Sequence, residues 1–217
     1  MESINSTTNS DTLELVLKNS FLKTTLSIDR LGITYGKKHV FFSDIESLRY
    51  GATAVSVNAI PTSVNYTFNF LDTQNKKFTI LFSAVALSKN SKQGAEQHNR
   101  AIIDILWKHL TSKIVNKMIN TLNSKGTVKV GNFEIRSNGI NITHRRFIFS
   151  KREALIPWKE CLKGVGPGYF YIQSATDKKV IAKSMFLQTW NLNAFQSVVN
   201  YLWDNGNCYK LERGEKI

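Results

Sequence analysis

The sequence predicts an α+β protein built from two similar units, each a run of antiparallel strands closed by one helix. Three observations predict this. Apolar residues alternate with a period of two through much of the chain, two later segments switch to helical spacing, and four short blocks recur in the same order. Strands that run into a terminal helix, instead of alternating with helices, define the α+β class.

The blocks set the strand order. Leu26–Tyr35 (LSIDRLGITY) matches Phe133–Ile142 (FEIRSNGINI) at an offset of 107 residues. Each has alternating apolar positions, a turn, then a Gly-Ile pair, Gly32-Ile33 and Gly139-Ile140. Val40–Ile45 (VFFSDI) matches Ile156–Cys161 (IPWKEC) at an offset of 116, keeping an aromatic, an acid and an apolar residue in place. Asp72–Phe78 (DTQNKKF) matches Ser174–Val180 (SATDKKV) at 102, and both read as a hairpin turn between alternating strands. Tyr66, Phe68 and Phe70 enter the first turn and Phe78, Ile80 and Phe82 leave it. Phe170 and Ile172, then Val180 and Ala182, do the same in the second.

The last block, Ile103–Trp107 (IDILW) against Val199–Trp203 (VNYLW) at 96, lies on the helices. The shifts in offset place a nine-residue insertion and deletions of 14 and six residues in the second copy, each between blocks, where loops absorb them. Ile102, Ile103, Leu106, Leu110, Ile114, Met118 and Leu122 make the apolar face of a long first helix, with Gly126 as its stop. Its far half is expected to pack on the second unit or across a dimer interface. Phe195, Val198, Val199, Leu202 and Trp203 face the core from the second helix, capped by Asn191 or Asn193 and ended at Gly206. Trp107, Trp158 and Trp203 are expected in the core. The resulting division is a disordered lead at 1–12, a first domain at 13–124, a second at 125–207 and a polar tail at 208–217.

Composition narrows the class. The chain has 217 residues, 29 Lys and Arg against 16 Asp and Glu, and a net charge of +13. Up to Ser124 there are 14 basic and nine acidic residues, and beyond it 15 and seven, so the excess is shared between the halves. Such a surface attracts anionic membranes, nucleic acids and acidic proteins. Twelve Gly and three Pro among 217 residues exclude collagen-like and low-complexity chains. No apolar run approaches the length of a spanning helix. The Ser/Thr/Asn-rich start lacks the layout of a secretory signal. Two cysteines, Cys161 and Cys208, make neither a disulfide framework nor a zinc site, so a reduced, cytoplasmic protein is expected.

Catalytic signatures are weak. His39 follows two lysines and His144 precedes two arginines, while His98 and His109 stand eleven apart on the long helix. The run Gly164–Gly168 (GVGPG) leads into a strand and not a helix, so it reads as a hairpin turn and not a phosphate loop. Cys161 aligns with Ile45 and reads as a small buried apolar residue. Neither an enzyme, a metal nor a cofactor is expected.

The early Gly-Ile pairs, Ile156-Pro157-Trp158-Lys159-Glu160-Cys161, and the helices ending in Leu106-Trp107 and Leu202-Trp203 together resemble the bacterial pleckstrin-homology-like family, two copies in tandem, from about Leu13 to Asn205. The first copy departs from the pattern, with Phe41-Phe42 where the second has Pro157-Trp158. The resemblance implies two PH-like units, each a bent antiparallel β-barrel of about seven strands capped by a C-terminal α-helix. It also implies a binding module and no ligand. The basic signature of phosphoinositide binders is not met, because the first turns hold one arginine each, Arg30 and Arg136.

The expected function is therefore non-catalytic binding. The module engages a protein or peptide partner or an anionic membrane surface, in the second case peripheral to the inner face of the membrane. The alternative is nucleic-acid binding. The candidate ligand-binding residues are Arg145, Arg146, Lys151 and Arg152 around the apolar run Phe147–Phe149, together with the hairpin lysines Lys178 and Lys179. In this reading the apolar run is one strand with cations at both ends, anchoring a phosphate-bearing surface or stacking on bases.

Overall fold

The computed structural model of the chain describes residues 8–9, 11–19, 22–86, 88–147 and 150–217. The chain divides after Ser112 into two compact units. In the first, β1 (Thr8–Asn9), β2 (Thr12–Asn19), β3 (Leu22–Ile28), β4 (Gly32–Tyr35) and β5 (Lys38–Phe41) form one antiparallel meander. β6 (Ile45–Val57), β7 (Ile60–Asp72) and β8 (Lys77–Val85) form a second meander, followed by α1 (Lys89–Leu106). A π-helical turn, Trp107–Thr111, leads into α2 (Ser112–Lys125), which belongs to the second unit from Lys113 onward.

The second unit repeats the plan. β9 (Val128–Val130), β10 (Phe133–Arg136), β11 (Gly139–Phe147) and β12 (Ser150–Pro157) make a four-stranded meander. A 3-10 turn at Trp158–Glu160 leads to β13 (Cys161–Gly166), β14 (Tyr169–Ser174) and β15 (Ile181–Met185), a three-stranded one. α3 (Leu192–Asp204) and α4 (Asn207–Glu212) finish the chain.

The sequence blocks coincide at the level of strand register. Gly32 pairs with Phe41 and Ile33 with Val40; Gly139 pairs with Pro157 and Ile140 with Ile156. A Cβ added at Gly32 would run into the Val40 carbonyl oxygen, and one at Gly139 into that of Ile156. Glycine stands at both places because the neighbouring strand's backbone occupies the side-chain position. Ile45 pairs with Asp72, as Cys161 does with Ser174. Thr73 N donates to Asp44 O at 2.9 Å, and Ala175 N to Glu160 O at 2.7 Å.

Each unit buries the apolar side of its two sheets. On β2, Leu13, Leu15 and Leu17 are buried and alternate with exposed residues, the mark of a sheet with one wet face. Tyr66 and Phe68 stack against Phe82 at 5.0 and 6.4 Å. In the second unit Phe195 of α3 stacks on Phe133 at 5.8 Å, with Phe170 edge-on to Phe133 at 5.6 Å. Trp158 is fully buried, so its indole N–H needs a partner. Trp158 Nε1 donates to Ser137 O at 2.8 Å.

Several expectations change. The strands of each unit lie in two separate small sheets and do not close into one barrel, because the corners after Phe41 and Pro157 break the ladder. The units divide after Ser112, not Ser124. Ile114, Met118 and Leu122 are buried within the chain, so no dimer is needed to cover them. Trp107 is 44% exposed. Leu106 holds the inward position, and the next residue is turned roughly 100° around the helix. The expected polar tail contains α4, with Cys208 and Leu211 buried, and Ile217 N donates to Asn123 Oδ1 at 2.9 Å. Of the expected disordered lead, Thr8 and Asn9 pair with β2, while Asp11 is held by Arg30 and Lys108; residues 1–7 and 10 lie outside the described residues. Asn191 stands at the start of α3 with φ 60°, and caps it through its carbonyl, which accepts from Phe195 N at 2.9 Å.

The lengths of the hairpins explain the shifts in offset. β6 to β7, Ile45 to Asp72, takes 28 residues where β13 to β14, Cys161 to Ser174, takes 14. Gly32 to Phe41 takes 10 residues where Gly139 to Pro157 takes 19. At the tip of the longer arm Asn58 and Ala59 both have positive φ, 49° and 65°. A two-residue turn of that kind favours glycine in second place, and alanine there is strained by about 1 kcal/mol.

The shared close approach makes a test. Gly32→Ala and Gly139→Ala should each destabilise their unit by about 1–3 kcal/mol in urea unfolding, since the backbone contact cannot relax. Gly94→Ala, in open space on α1, should be neutral or stabilising by up to about 1 kcal/mol. An unequal response of the two strand glycines would mean that the two strand pairs are not equivalent.

Candidate functional site

A cleft of ≈ 510 Å³ lies in the first unit between the β4–β5 hairpin and the β7–β8 turn. Lys38, His39 and Phe41 come from the hairpin, Asp44 from the corner, and Asp72, Lys76, Lys77 and Phe78 from the turn. The turn is locally determined. Asp72 Oδ1 accepts from Gln74 N at 2.9 Å and Lys76 N at 2.7 Å, and Asn75 takes the left-handed conformation with φ 63°. This carboxylate is thereby engaged with the backbone. Asp44 Oδ1 accepts from Ser43 Oγ at 2.9 Å. The ammonium groups of Lys38, Lys76 and Lys77 have no ion-pair partner among the described residues. His39 shares a 2.8 Å contact between its Nδ1 and Thr34 Oγ1 and stands edge-on to Phe41 at 4.5 Å. The cleft therefore presents cationic donors over an aromatic wall of Phe41, Phe70 and Phe78, an arrangement that takes phosphate or carboxylate oxygens.

A second cleft, ≈ 390 Å³, lies in the second unit and is lined by Asn132, Thr143, His144, Lys151, Ile181, Ala182 and Lys183. The Lys183 ammonium sits over the Tyr169 ring at 5.0 Å, and Asn132 Nδ2 donates to Lys183 O at 2.9 Å. His144 Nδ1 is buried with no hydrogen-bond partner among the described residues.

Of the singled-out cations whose side chains are described, Lys151, Arg152, Lys178 and Lys179, only Lys151 lines either cleft. The basic segment is not one strand with charged ends. β11 and β12 pair from Gly139↔Pro157 to Phe147↔Ser150, so His144 faces Arg152 and Arg145 faces Lys151 across a ladder. Ile148 and Phe149 lie outside the described residues, as do the side chains of Arg145, Arg146 and Phe147. Lys178 and Lys179 are exposed in the β14–β15 turn, where Lys179 N donates to Asp177 Oδ1 at 2.8 Å. Their counterparts Lys76 and Lys77 do line a cleft, and the reason is the opposite wall. Lys38 and His39 in the first unit correspond to Ala154 and Leu155 in the second. Sequence reading passed over Lys38 and His39 as members of a site; their signal was the run Lys37-Lys38-His39 aligned with Glu153-Ala154-Leu155, a segment of the other copy without a cation.

The groups that chemistry would use are dispersed. His98 lies on α1, where burial lowers its pKa, and His109 stacks on Phe42 at 6.0 Å. Among the described residues no group of three His, Cys, Asp or Glu side chains is placed to hold a metal ion. Gly164–Gly168 turns the β13–β14 hairpin, with Gly168 at φ 78° and Gly166 paired with Tyr169. Among the described residues no helix is long and apolar enough to cross a membrane. No protein-family model matches the chain, and no curated protein matches it in sequence.

Both cysteines are free and buried. Burial pushes the Cys161 thiol up to about 12 and raises that of Cys208 as well. Only the thiolate attacks. At pH 8 the native protein should therefore resist alkylation by iodoacetamide and take up two equivalents once unfolded in guanidinium. Rapid labelling of native Cys161 would reopen a nucleophilic role.

Proposed function

We propose that the chain is a non-catalytic binding module with two PH-like units in tandem, which takes an anionic partner, and that the cleft of the first unit is its main anion site. One observation carries the reading: Lys38, Lys76 and Lys77 converge on a cleft whose two carboxylates accept hydrogen bonds from backbone and hydroxyl donors and not from the ammonium groups of these lysines. The matched meanders and terminal helices support the PH-like architecture, and the net charge of +13 supports an acidic partner. A carboxylate-rich peptide and an anionic membrane offer the same chemistry to such a cleft.

Nucleic acid is the second reading, favoured by the β11–β12 hairpin. There Arg145 opposes Lys151, with Arg152 next to it on β12, and like charges placed opposite each other are destabilising unless a polyanion lies over them.

Binding of the full chain to an oligoglutamate peptide, to phosphatidylserine vesicles and to a single-stranded oligonucleotide separates these. Lys76→Glu with Lys77→Glu should weaken the first two by about 2 kcal/mol or more and leave the fold intact, since both side chains are exposed. Unchanged affinity for every probe would overturn the cleft as the site. Loss confined to Arg145→Glu with Arg146→Glu on the oligonucleotide, with an affinity falling by decades between 50 and 200 mM salt for about 6–10 phosphate contacts, would establish the second reading.

A further inference from the structure

From Gly51 to Val64 the chain carries no charge, and from Ser47 to Leu71 it has no carboxylate. This stretch is the β6–β7 arm. The two strands pair out to Val57↔Ile60, but β8 ends at Ser63↔Val85, with one more bond from Ala86 N to Thr62 O at 3.0 Å. Residues 56–61 therefore project about 10 Å past β8. Val57 and Ile60 at the tip are 57% and 58% exposed, and the turn keeps a methyl group, Ala59, where glycine would be unstrained.

Two further segments meet β8 at this end. Ser83, partner of Asn65, donates through Oγ to Asn19 Oδ1 at 3.4 Å, which brings in the end of the β2–β3 hairpin. Val85 N donates to Ser91 Oγ at 3.1 Å, which brings in the first turn of α1. Leu22 and Val85 add exposed apolar surface, at 73% and 56%. Lys18 and Lys23, cross-strand partners, and Lys89 and Lys92 are all exposed. None of the three segments contains an acid; the next one along the chain, Glu96, lies in the second turn of α1. The cleft of Lys76 and Lys77 lies at the other end of β7 and β8, eight residue steps or about 27 Å away.

An apolar tip, with lysines and no acids on the two segments that meet β8 beside it, matches the boundary between lipid headgroups and acyl chains. Strand addition fits less well. Pro61 removes a donor from the free edge of β7, and the register shift that leaves Thr62 as an extra residue between Ser63 and Pro61 distorts the same strand, both devices that deter pairing.

We propose that this end of the first unit docks on an anionic lipid bilayer, with Val57, Ala59 and Ile60 entering the headgroup–acyl boundary and Lys18, Lys23, Lys89 and Lys92 facing the phosphates. The inference deepens the reading of the chain as a binder of anionic partners and rests on it. Because Cys161 and Cys208 are buried, Ile60→Cys supplies an accessible thiol for an environment-sensitive fluorophore. Its emission should shift to the blue on vesicles of phosphatidylserine and phosphatidylcholine and stay put on phosphatidylcholine alone. Lys18→Gln with Lys23→Gln should weaken vesicle binding about 25-fold, roughly fivefold per lysine. Ile60→Asp should weaken vesicle binding by about tenfold or more and leave oligoglutamate binding unchanged, while its circular dichroism spectrum matches the parent. An unshifted label, with binding that persists in Ile60→Asp but is lost in Lys76→Glu with Lys77→Glu, overturns this docking surface and leaves the cleft reading standing. A shift produced by the oligoglutamate peptide or the oligonucleotide and not by vesicles overturns it in favour of a macromolecular partner. Absence of binding to all probes defeats both readings.

Discussion

Each unit depends on the corner at which one small sheet hands the chain to the next. There a glycine lets two backbones approach so closely that no side chain fits between them, at Gly32 against Val40 and Gly139 against Ile156. The residue that follows the paired strand, Phe42 or Trp158, then turns inward and is buried. The next acidic residue contributes its carbonyl to the far end of the second sheet, Asp44 to Thr73 and Glu160 to Ala175. A sheet with one apolar face is unstable alone, and this corner brings the second apolar face over the first. The helix covers what remains, through Ile102, Ile105 and Leu106 in one unit and Phe195, Val198 and Leu202 in the other.

On that common frame the two units differ mainly in their hairpins. The first lengthens β6–β7 into an uncharged arm, and the second lengthens β11–β12 into a basic one. Both changes fall where the chain already reverses on the surface, so they leave the corner and the core untouched. Charge is sorted in the same way. Cations gather at the turn of Lys76 and Lys77, at the hairpin of Lys151 and Arg152, and around the arm, while carboxylates such as Asp72 and Asp177 are engaged in holding turns. The net positive surface itself follows from the excess of 29 Lys and Arg over 16 Asp and Glu.

Much of this was legible without coordinates, because alternation, helical spacing and turn chemistry are local. The α+β class, the repeat, the strands around Phe68 and Phe170, the hairpin at Gly168 and the buried state of Cys161 all follow from neighbours in the chain. So does the inward face of the long helix from Ile102 to Leu122. The candidate cations were identified by type, and the structure distributes them differently. Lys178 and Lys179 looked equivalent to Lys76 and Lys77 until the facing wall was known, and that wall is built by residues almost forty positions away in sequence.

Local pattern determined which segments pair, which faces are apolar and where the chain turns, since each rests on interactions within a few residues. Tertiary structure alone decided that the sheets stay separate, that Trp107 faces outward and that the last residues form a packed helix. It also decided that three lysines and a histidine share a cleft and that an uncharged arm stands beyond β8 among lysines from two other segments. Those outcomes depend on where a strand ends relative to a neighbour distant in sequence, and no periodicity within either strand encodes that offset.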